Sequence, residues 1–185
     1  VVMTKPSLAI DMDNTLVDTL QACLACFNRH ALEPVDYAQA LKRYEFYEYY
    51  GWDEEAYMDV YAQFGEEIHT CGVPYRGAMD VIHALANRYE ITIVTARPIR
   101  YAAITVDWLN QYQIPYKAIS FNHDKLTVCR SIQASCLIDD TPYLAEVFAA
   151  EAYPMLLMDH PYNAHVNFPT ISRVTCWQEI ADFLL

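Results

Sequence analysis

Apolar positions recur along this chain with two different spacings, and the pattern changes near residue 76. A short apolar run at residues 7–10 reads as a buried strand. After it, Leu20, Cys23, Leu24, Phe27 and Ala31 fall about 3.6 residues apart on average, the signature of one helical face. That helix starts at Asp18 or Thr19 and is stopped by Pro34. Asp53 can cap a second helix whose stripe is Tyr57, Val60, Tyr61, Phe64 and Ile68, with Gly72 and Pro74 punctuating its end. The tyrosine-rich stretch 36–50 fits neither period cleanly.

Beyond residue 76, helical segments alternate with short apolar, β-branched runs. Helices are predicted over 77–88, 99–111, 125–132, 142–151 and 177–184. The first of these places Ala78, Val81, Ile82 and Leu85 on one face. Strands are predicted over 91–94, ending at Thr95, and over 117–121, 136–138 and 154–158. Strands alternating with helices imply a parallel sheet covered on both faces. The expected fold is therefore α/β, a Rossmann-like parallel sheet core with a small all-helical cap inserted after the first strand. Residues 1–17 and 76–185 would form the core and 18–75 the cap. A length of 185 residues suits one compact domain with a modest insertion.

Charge narrows the set of partners. A formal net charge of −12 argues against a nucleic-acid polymer, whose phosphates need clustered Lys and Arg. It leaves room for a small phosphorylated molecule, because one metal ion and a few cations can dominate a local site. The chain shows no secretory leader pattern and no apolar run of membrane-spanning length, so no membrane partner and a cytoplasmic location are expected. The six cysteines are scattered, and Cys23 and Cys26 form a C-x-x-C on a predicted helix. Without a second pair at zinc-site spacing, small buried hydrophobes are the better reading than a metal or redox motif.

The chemistry concentrates at strand ends. Asp11-Met12-Asp13-Asn14-Thr15 directly follows Leu8-Ala9-Ile10. Two carboxylates spaced i, i+2 at the end of a buried strand repel each other and need a compensating charge. A divalent cation supplies it, and hard cations prefer oxygen ligands. The spacing also lets one carboxylate attack while the other handles protons, as phosphoryl transfer through an aspartyl-phosphate requires. Thr95 ends the second strand with Arg97 close behind, Lys125 follows the third, and Asp139 and Asp140 follow the fourth. Ligands of open parallel sheets bind beyond the carboxyl ends of the strands, which is where all of these residues lie.

These segments resemble the signatures of the haloacid dehalogenase-like superfamily, mainly its phosphatase branch: Asp11-Met12-Asp13-Asn14-Thr15, the Thr ending Ile93-Val94-Thr95, the Lys of His123-Asp124-Lys125, and Leu137-Ile138-Asp139-Asp140. The resemblance spans the chain and includes the place and size of the cap. It implies Asp11 as nucleophile and Asp13 as general acid/base, the residue that separates phosphatases and phosphomutases from dehalogenases. It implies that Thr95 hydrogen-bonds the transferred phosphoryl group and that Lys125 neutralises it. It also implies Mg²⁺ held by Asp11, the backbone carbonyl of Asp13, and Asp139, with Asp140 as ligand or supporting partner. Lys125 should pair with Asp11 and keep it ionised. Asp-Met-Asp, the small cap, Asp-Lys-x-x-Val and Ile-Asp-Asp are most similar to the 5′(3′)-deoxyribonucleotidase group, although Asn14-Thr15 replaces the Gly-Val common there. This similarity implies a Mg²⁺-dependent phosphomonoesterase whose substrate is a nucleoside monophosphate.

Competing readings stand beside this one. A sugar- or small-metabolite phosphatase, or a phosphomutase, would use the same core residues. A metal-binding regulatory module without turnover would not need them all, and all are present. The aromatic run Tyr44 to Trp52 can form a base-stacking wall, with Trp52 and Tyr47 as candidate substrate contacts, or can simply pack the cap. Arg97 can touch substrate or pair with a carboxylate. His123, His160 and His165 share no ligand spacing and read as polar loop residues.

Overall fold

A computed structural model describes residues 5–185, so the first four residues of the expected core lie outside the described residues. Six parallel strands form one sheet in the order β3-β2-β1-β4-β5-β6. They are β1 Ser7–Ile10, β2 Glu90–Thr95, β3 Ala118–Phe121, β4 Ala134–Asp139, β5 Met155–Met158 and β6 Ile171–Val174. Helices α1 Thr19–Phe27, α2 Tyr37–Ala40 and α3 Glu54–Cys71 lie between β1 and α4 Ala78–Arg88. The remaining helices are α5 Ala102–Gln111, α6 Lys125–Ser131, α7 Pro142–Ala150 and α8 Trp177–Leu184.

The uninterrupted apolar runs of the strands follow from burial on both faces. Leu8 and Ile10 of β1, Ile91 and Ile93 of β2, and Cys136 and Ile138 of β4 share one core with Val81 and Leu85 of α4, Trp108 of α5 and Trp177 of α8. The alternate residues Ala9, Val94, Leu137 and Leu157 face a second core, closed by Leu126 and Cys129 of α6 and Phe148 of α7. Successive side chains of a strand point to opposite faces, so both faces must be apolar.

The strand order places the site. β1, β2 and β3 build the sheet in one direction, and the chain then returns to lay β4 on the other side of β1. A reversal of this kind opens a crevice beyond the strand ends. Ile10, the last residue of β1, is level with Ile93 and with Ile138, so β1 ends one or two residues short of its two neighbours and Asp11 emerges beside their ends. The Asp11 amide donates to the Ile138 carbonyl at 2.9 Å, tying the first carboxylate to the mouth of that crevice.

The segment between β1 and α4 carries its own apolar cluster. Leu20, Leu24 and Phe27 of α1 pack with Phe46 and with Ile68 of α3. Phe46–Tyr50 forms a 3₁₀ turn, which the sequence periodicity did not resolve. The α3 stripe joins this cluster, and Asp53 caps α3 through the Ala56 amide at 2.9 Å. Two strands of chain connect this segment to the sheet and run side by side: the Asp18 amide donates to the Val73 carbonyl and the Tyr75 amide to that of Leu16.

Two expectations need correction. The first helix ends at Phe27 rather than reaching Ala31. Asn28 exchanges two hydrogen bonds with the backbone of Val35, each 2.9 Å, and this local pairing competes with another helical turn. The sixth strand, Ile171–Val174, was not foreseen. It lies at the sheet edge and is only half-buried, so Ser172 and Arg173 interrupt the apolar run that marks an interior strand.

Candidate active site

Lys125 joins the carboxylates. Asp124 caps α6 by accepting the Thr127 amide at 3.0 Å, which sets Lys125 on the first turn. Its Nζ donates to Asp11 Oδ1 and to Asp139 Oδ2, both at 2.6 Å, with the side chain only 3% exposed. Asp139 Oδ1 accepts the Thr141 amide at 2.8 Å. Asp140 accepts the Thr15 hydroxyl on Oδ1 at 2.9 Å and the Tyr162 hydroxyl on Oδ2 at 2.6 Å. Asp11, Asp139 and Asp140 bring carboxylate oxygens within 4.8 Å of one another.

This crowding has an electrostatic consequence. Burial raises the Asp11 carboxyl well above the usual carboxylate range; Lys125 opposes this, while Asp139, Asp140 and Asp13 add to it. Burial, followed by the charge of Asp139, pushes Asp140 up to about 7 against the hydrogen bonds from Tyr162 and Thr15. Burial lowers Lys125, but Asp11 and Asp139 outweigh it and hold the ammonium firmly charged. One lysine thus contacts two of three buried carboxylates. An all-oxygen donor set with surplus negative charge fits a hard divalent cation.

Asp13 sits in a separate grip. Arg97 Nε donates to Asp13 Oδ2 at 2.9 Å and Nη2 to Oδ1 at 2.6 Å. The Thr19 hydroxyl adds a 2.5 Å bond to Asp13 Oδ1. Arg97 is itself braced by the Thr105 hydroxyl at 3.2 Å. Burial alone would raise Asp13, but the charge and hydrogen bonds of Arg97 outweigh it and hold the carboxyl well below its usual range. The fork-to-fork geometry of this pair is the strong form of an ion pair. Thr95 is fully buried at the end of β2, where its hydroxyl oxygen accepts the Arg97 amide at 3.2 Å.

A cavity of about 550 Å³ joins these groups to the helical segment. Asp11, Asp13, Lys125 and Asp140 lie on its wall together with Arg97 and His123. The helical segment contributes the rings of Tyr44, Phe46, Tyr47, Tyr57 and Tyr61. Tyr47 stacks on Tyr57 with ring centroids 4.4 Å apart and planes at 14°. Of the two candidate substrate rings, only Tyr47 lines the cavity. Trp52 packs edge-on to Phe27 at 5.3 Å and stacks on Tyr50 at 4.6 Å, inside the apolar cluster of the helical segment. The left-handed turn at Gly51, with φ +74°, precedes Trp52 and directs the chain back over Phe27.

Other expectations change as well. His160 lies in a loop as expected, but it is buried there: its Nε2 pairs with the Asn14 carbonyl at 2.7 Å and its ring stacks on Tyr162. Cys23, Cys26, Cys129 and Cys136 are buried as small hydrophobes, whereas Cys71 and Cys176 are exposed. Thr15, Thr19 and Tyr162, which hold acidic groups in place, and Thr105, which braces Arg97, were missed in the sequence. Thr15 carried a signal, lying inside the first acidic motif; Tyr162 carried none. Asn14 also has a local reason to stand where it does. Its φ of +57° is a conformation that Asn tolerates, and its side chain accepts the Leu20 amide at 2.9 Å.

Fold, acidic cluster and cavity together define a class. The chain is a phosphoric monoester hydrolase with the haloacid dehalogenase-like fold. More narrowly, it belongs to the family described as 5′ nucleotidase, deoxy (pyrimidine), cytosolic type C protein, whose model matches residues 5–185. It is 25% identical over 186 residues to the 5′(3′)-deoxyribonucleotidase of Bacillus subtilis, covering 98% of this chain and 99% of that one. Among solved structures, a haloacid dehalogenase-like family hydrolase from Streptococcus pneumoniae superposes with a TM-score of 0.68 at 12% identity, covering 98% and 99% of the two chains. YfnB from Bacillus subtilis, solved bound to magnesium, gives a TM-score of 0.63 at 17% identity with the same coverage.

The electrostatics of Asp140 make a testable pH dependence. Its carboxyl sits at about 7 in the fold and at roughly 3.9 in an unfolded chain. Between these values the folded state holds the extra proton, so without a cation the Asp140 contribution to stability falls as pH rises. In chelating buffer, Asp140→Asn should therefore gain stability relative to the parent between pH 5 and pH 8, read by urea denaturation. A stability difference that does not change with pH would remove the basis for this assignment.

Proposed function

We propose that this chain is a Mg²⁺-dependent nucleotidase that releases phosphate from nucleoside monophosphates through a phosphorylated Asp11. The observation that carries the reading is the meeting of the Asp11–Lys125–Asp139 bridge and an aromatic-walled cavity at one crevice. Asp11, Asp139, Asp140 and the Asp13 backbone carbonyl would hold the ion, which supplies neutralisation of the phosphoryl oxygens when bound. Residues 18–75 act as the cap and select the substrate, while 5–17 and 76–185 carry the chemistry. The family description contains the word cytosolic, and no described helix is long and apolar enough to cross a membrane. A cytoplasmic enzyme is consistent with both.

Each residue then has a task. Asp11 attacks phosphorus and the ester bond to the leaving oxygen breaks. Lys125 and the Thr95 hydroxyl stabilise charge on the transferred group, and positioning of this kind accounts for most of the catalysis of phosphoryl transfer. Asp13 gives a proton to the leaving oxygen and later takes one from the attacking water. In the resting site Arg97 holds Asp13 as an anion. An incoming phosphate dianion offers Arg97 another partner, and Asp13 is then free to take up a proton. This gives Arg97 a part in substrate binding through the same guanidinium.

Asp11→Asn should lower phosphate release to less than a few per cent of the parent while leaving the melting temperature near its original value. A folded variant that keeps substantial turnover would exclude Asp11 as nucleophile. Exhaustive chelation should abolish activity, and added Mg²⁺ should restore it and raise the melting temperature. Full activity in the chelator would refute the metal-dependent mechanism.

Base stacking is worth about 1–3 kcal/mol per ring on the scale of single-stranded nucleic acids. Nucleoside monophosphates should accordingly show higher kcat/KM than sugar phosphates of similar charge. Tyr47→Ala should raise KM for the nucleotide far more than for a small phosphate ester. Better turnover of sugar phosphates would reduce the reading to a general phosphatase.

A further inference from the structure

Asn163, in the 3₁₀ turn Pro161–Asn163 after β5, is fully buried and has every polar position of its amide filled. Its Nδ2 donates to the Asp140 and Met158 carbonyls, both at 2.8 Å, and so ties the ends of β4 and β5 together. Its Oδ1 accepts the His160 amide at 3.1 Å and Arg173 Nη1 at 2.8 Å. Arg173 comes from the edge strand β6, and its Nη2 adds a 2.9 Å bond to the Asn163 carbonyl and a 2.6 Å bond to that of Val166. A buried polar network whose members are all satisfied is rigid. The half-buried strand β6 thus supplies the brace for this turn.

His160 joins the same turn to the loop after β1. Its Nε2 faces the Asn14 carbonyl at 2.7 Å and so carries the proton, which leaves Nδ1 to accept the Asn163 amide. Tyr162 stands between these two anchored residues in sequence. Its ring stacks on His160 with centroids 5.0 Å apart and meets Tyr44 edge-on at 5.6 Å. Backbone and ring are therefore both fixed, and together they aim the phenol at Asp140 Oδ2, 2.6 Å away.

The other oxygen of Asp140 accepts the Thr15 hydroxyl. Asp139 is held at both oxygens too, by Lys125 and the Thr141 amide, and Asp11 at one, by Lys125. Five of the six carboxylate oxygens of the acidic cluster thus already accept a bond from the protein. A carboxylate gripped at both oxygens is hindered from turning to offer both to one ion. Ca²⁺ takes about 6–8 oxygens in flexible geometry and accepts both oxygens of one carboxylate, whereas Mg²⁺ demands near-ideal octahedral geometry at about 2.0–2.1 Å. A restrained cluster suits the smaller ion. Asp140 differs from Asp139 in being gripped by two neutral hydroxyls, which can be removed without changing the charge of the site.

We propose that Tyr162 and Thr15 are positioning residues that hold the Asp140 carboxylate rigid and thereby set the preference of the site for Mg²⁺ over Ca²⁺. The assignment rests on the Mg²⁺-dependent reading, and its test separates the two. Mg²⁺ and Ca²⁺ affinities of the substrate-free protein are measured by calorimetric titration for the parent, Tyr162→Phe and Thr15→Val. Tyr162→Phe keeps the ring against His160 and Tyr44 and removes only the hydroxyl. Each variant should lose about 10–100-fold in Mg²⁺ affinity, the effect of removing a group that orients a metal ligand. Ca²⁺ affinity should fall far less, so the ratio of the two affinities shifts toward Ca²⁺. Unchanged Mg²⁺ affinity, or equal losses for the two ions, would overturn the assignment. So would a lower melting temperature of the metal-free variant with the ratio intact, which marks a packing role alone. A parent that binds no Mg²⁺ would overturn the metal-dependent reading and this assignment with it; a Mg²⁺-binding parent with unaltered variants would overturn this assignment alone. Should Tyr162→Phe fail to fold, the affinity ratio of Thr15→Val decides.

Discussion

The bridge from Lys125 to Asp11 and Asp139 is the constraint on which the rest of this structure depends. Two carboxylates at adjoining strand ends cannot be buried side by side without a cation between them. The lysine ammonium lies 2.6 Å from each. For it to reach both, β1 and β4 must be neighbours whose ends lie within one residue of each other, and α6 must begin beside them. The reversal of strand order around β1 satisfies this, and the short capped entry into α6 places the lysine. The topology and the charge cluster are therefore one requirement seen at two scales.

Charge compensation is divided between two separate cations. Lys125 serves the nucleophile side, and Arg97 serves Asp13. The two aspartates differ by two positions in sequence, yet their carboxyls are displaced in opposite directions, Asp11 upward and Asp13 downward. A strand ending at Ile10 sends the side chain of Asp11 toward β4, whereas Asp13 lies beyond the strand and meets Arg97 from the end of β2. Groups of one chemical type pushed apart by their surroundings are suited to different roles in one reaction.

Specificity has a different physical origin. The acidic cluster converges on a small volume and can address only a phosphoryl group. The rings of the helical segment line the remaining wall, and many of them also form that segment's own core. Phe27 contacts Phe46, Tyr50, Trp52 and Tyr57, so the aromatic abundance serves packing first. Rings left on the cavity side, such as Tyr47 and Tyr61, are those whose helix face turns toward the crevice.

The strand-and-helix alternation, the parallel sheet and the acidic residues at strand ends were legible in the sequence, because each rests on a local pattern. Asp11, Asp13, Lys125 and Asp139 follow apolar runs that can only be buried strands or the turns after them, and their chemistry is tied to those ends. Ile171–Val174 was not legible, because an edge strand loses one neighbour and with it the continuous apolar run. Nor could the sequence separate Trp52 from Tyr47. Both are rings in one aromatic stretch, and which one faces the cavity depends on the Gly51 turn and on the partners waiting at Phe27 and Tyr57. The same is true of Thr15 with Asp140, of Arg97 with Asp13, and of Tyr162, which reaches Asp140 across 22 residues of chain. Local hydrophobic period and strand-end chemistry are properties of neighbours in sequence. The pairings that orient the carboxylates join residues far apart in sequence, so only the folded chain decides them.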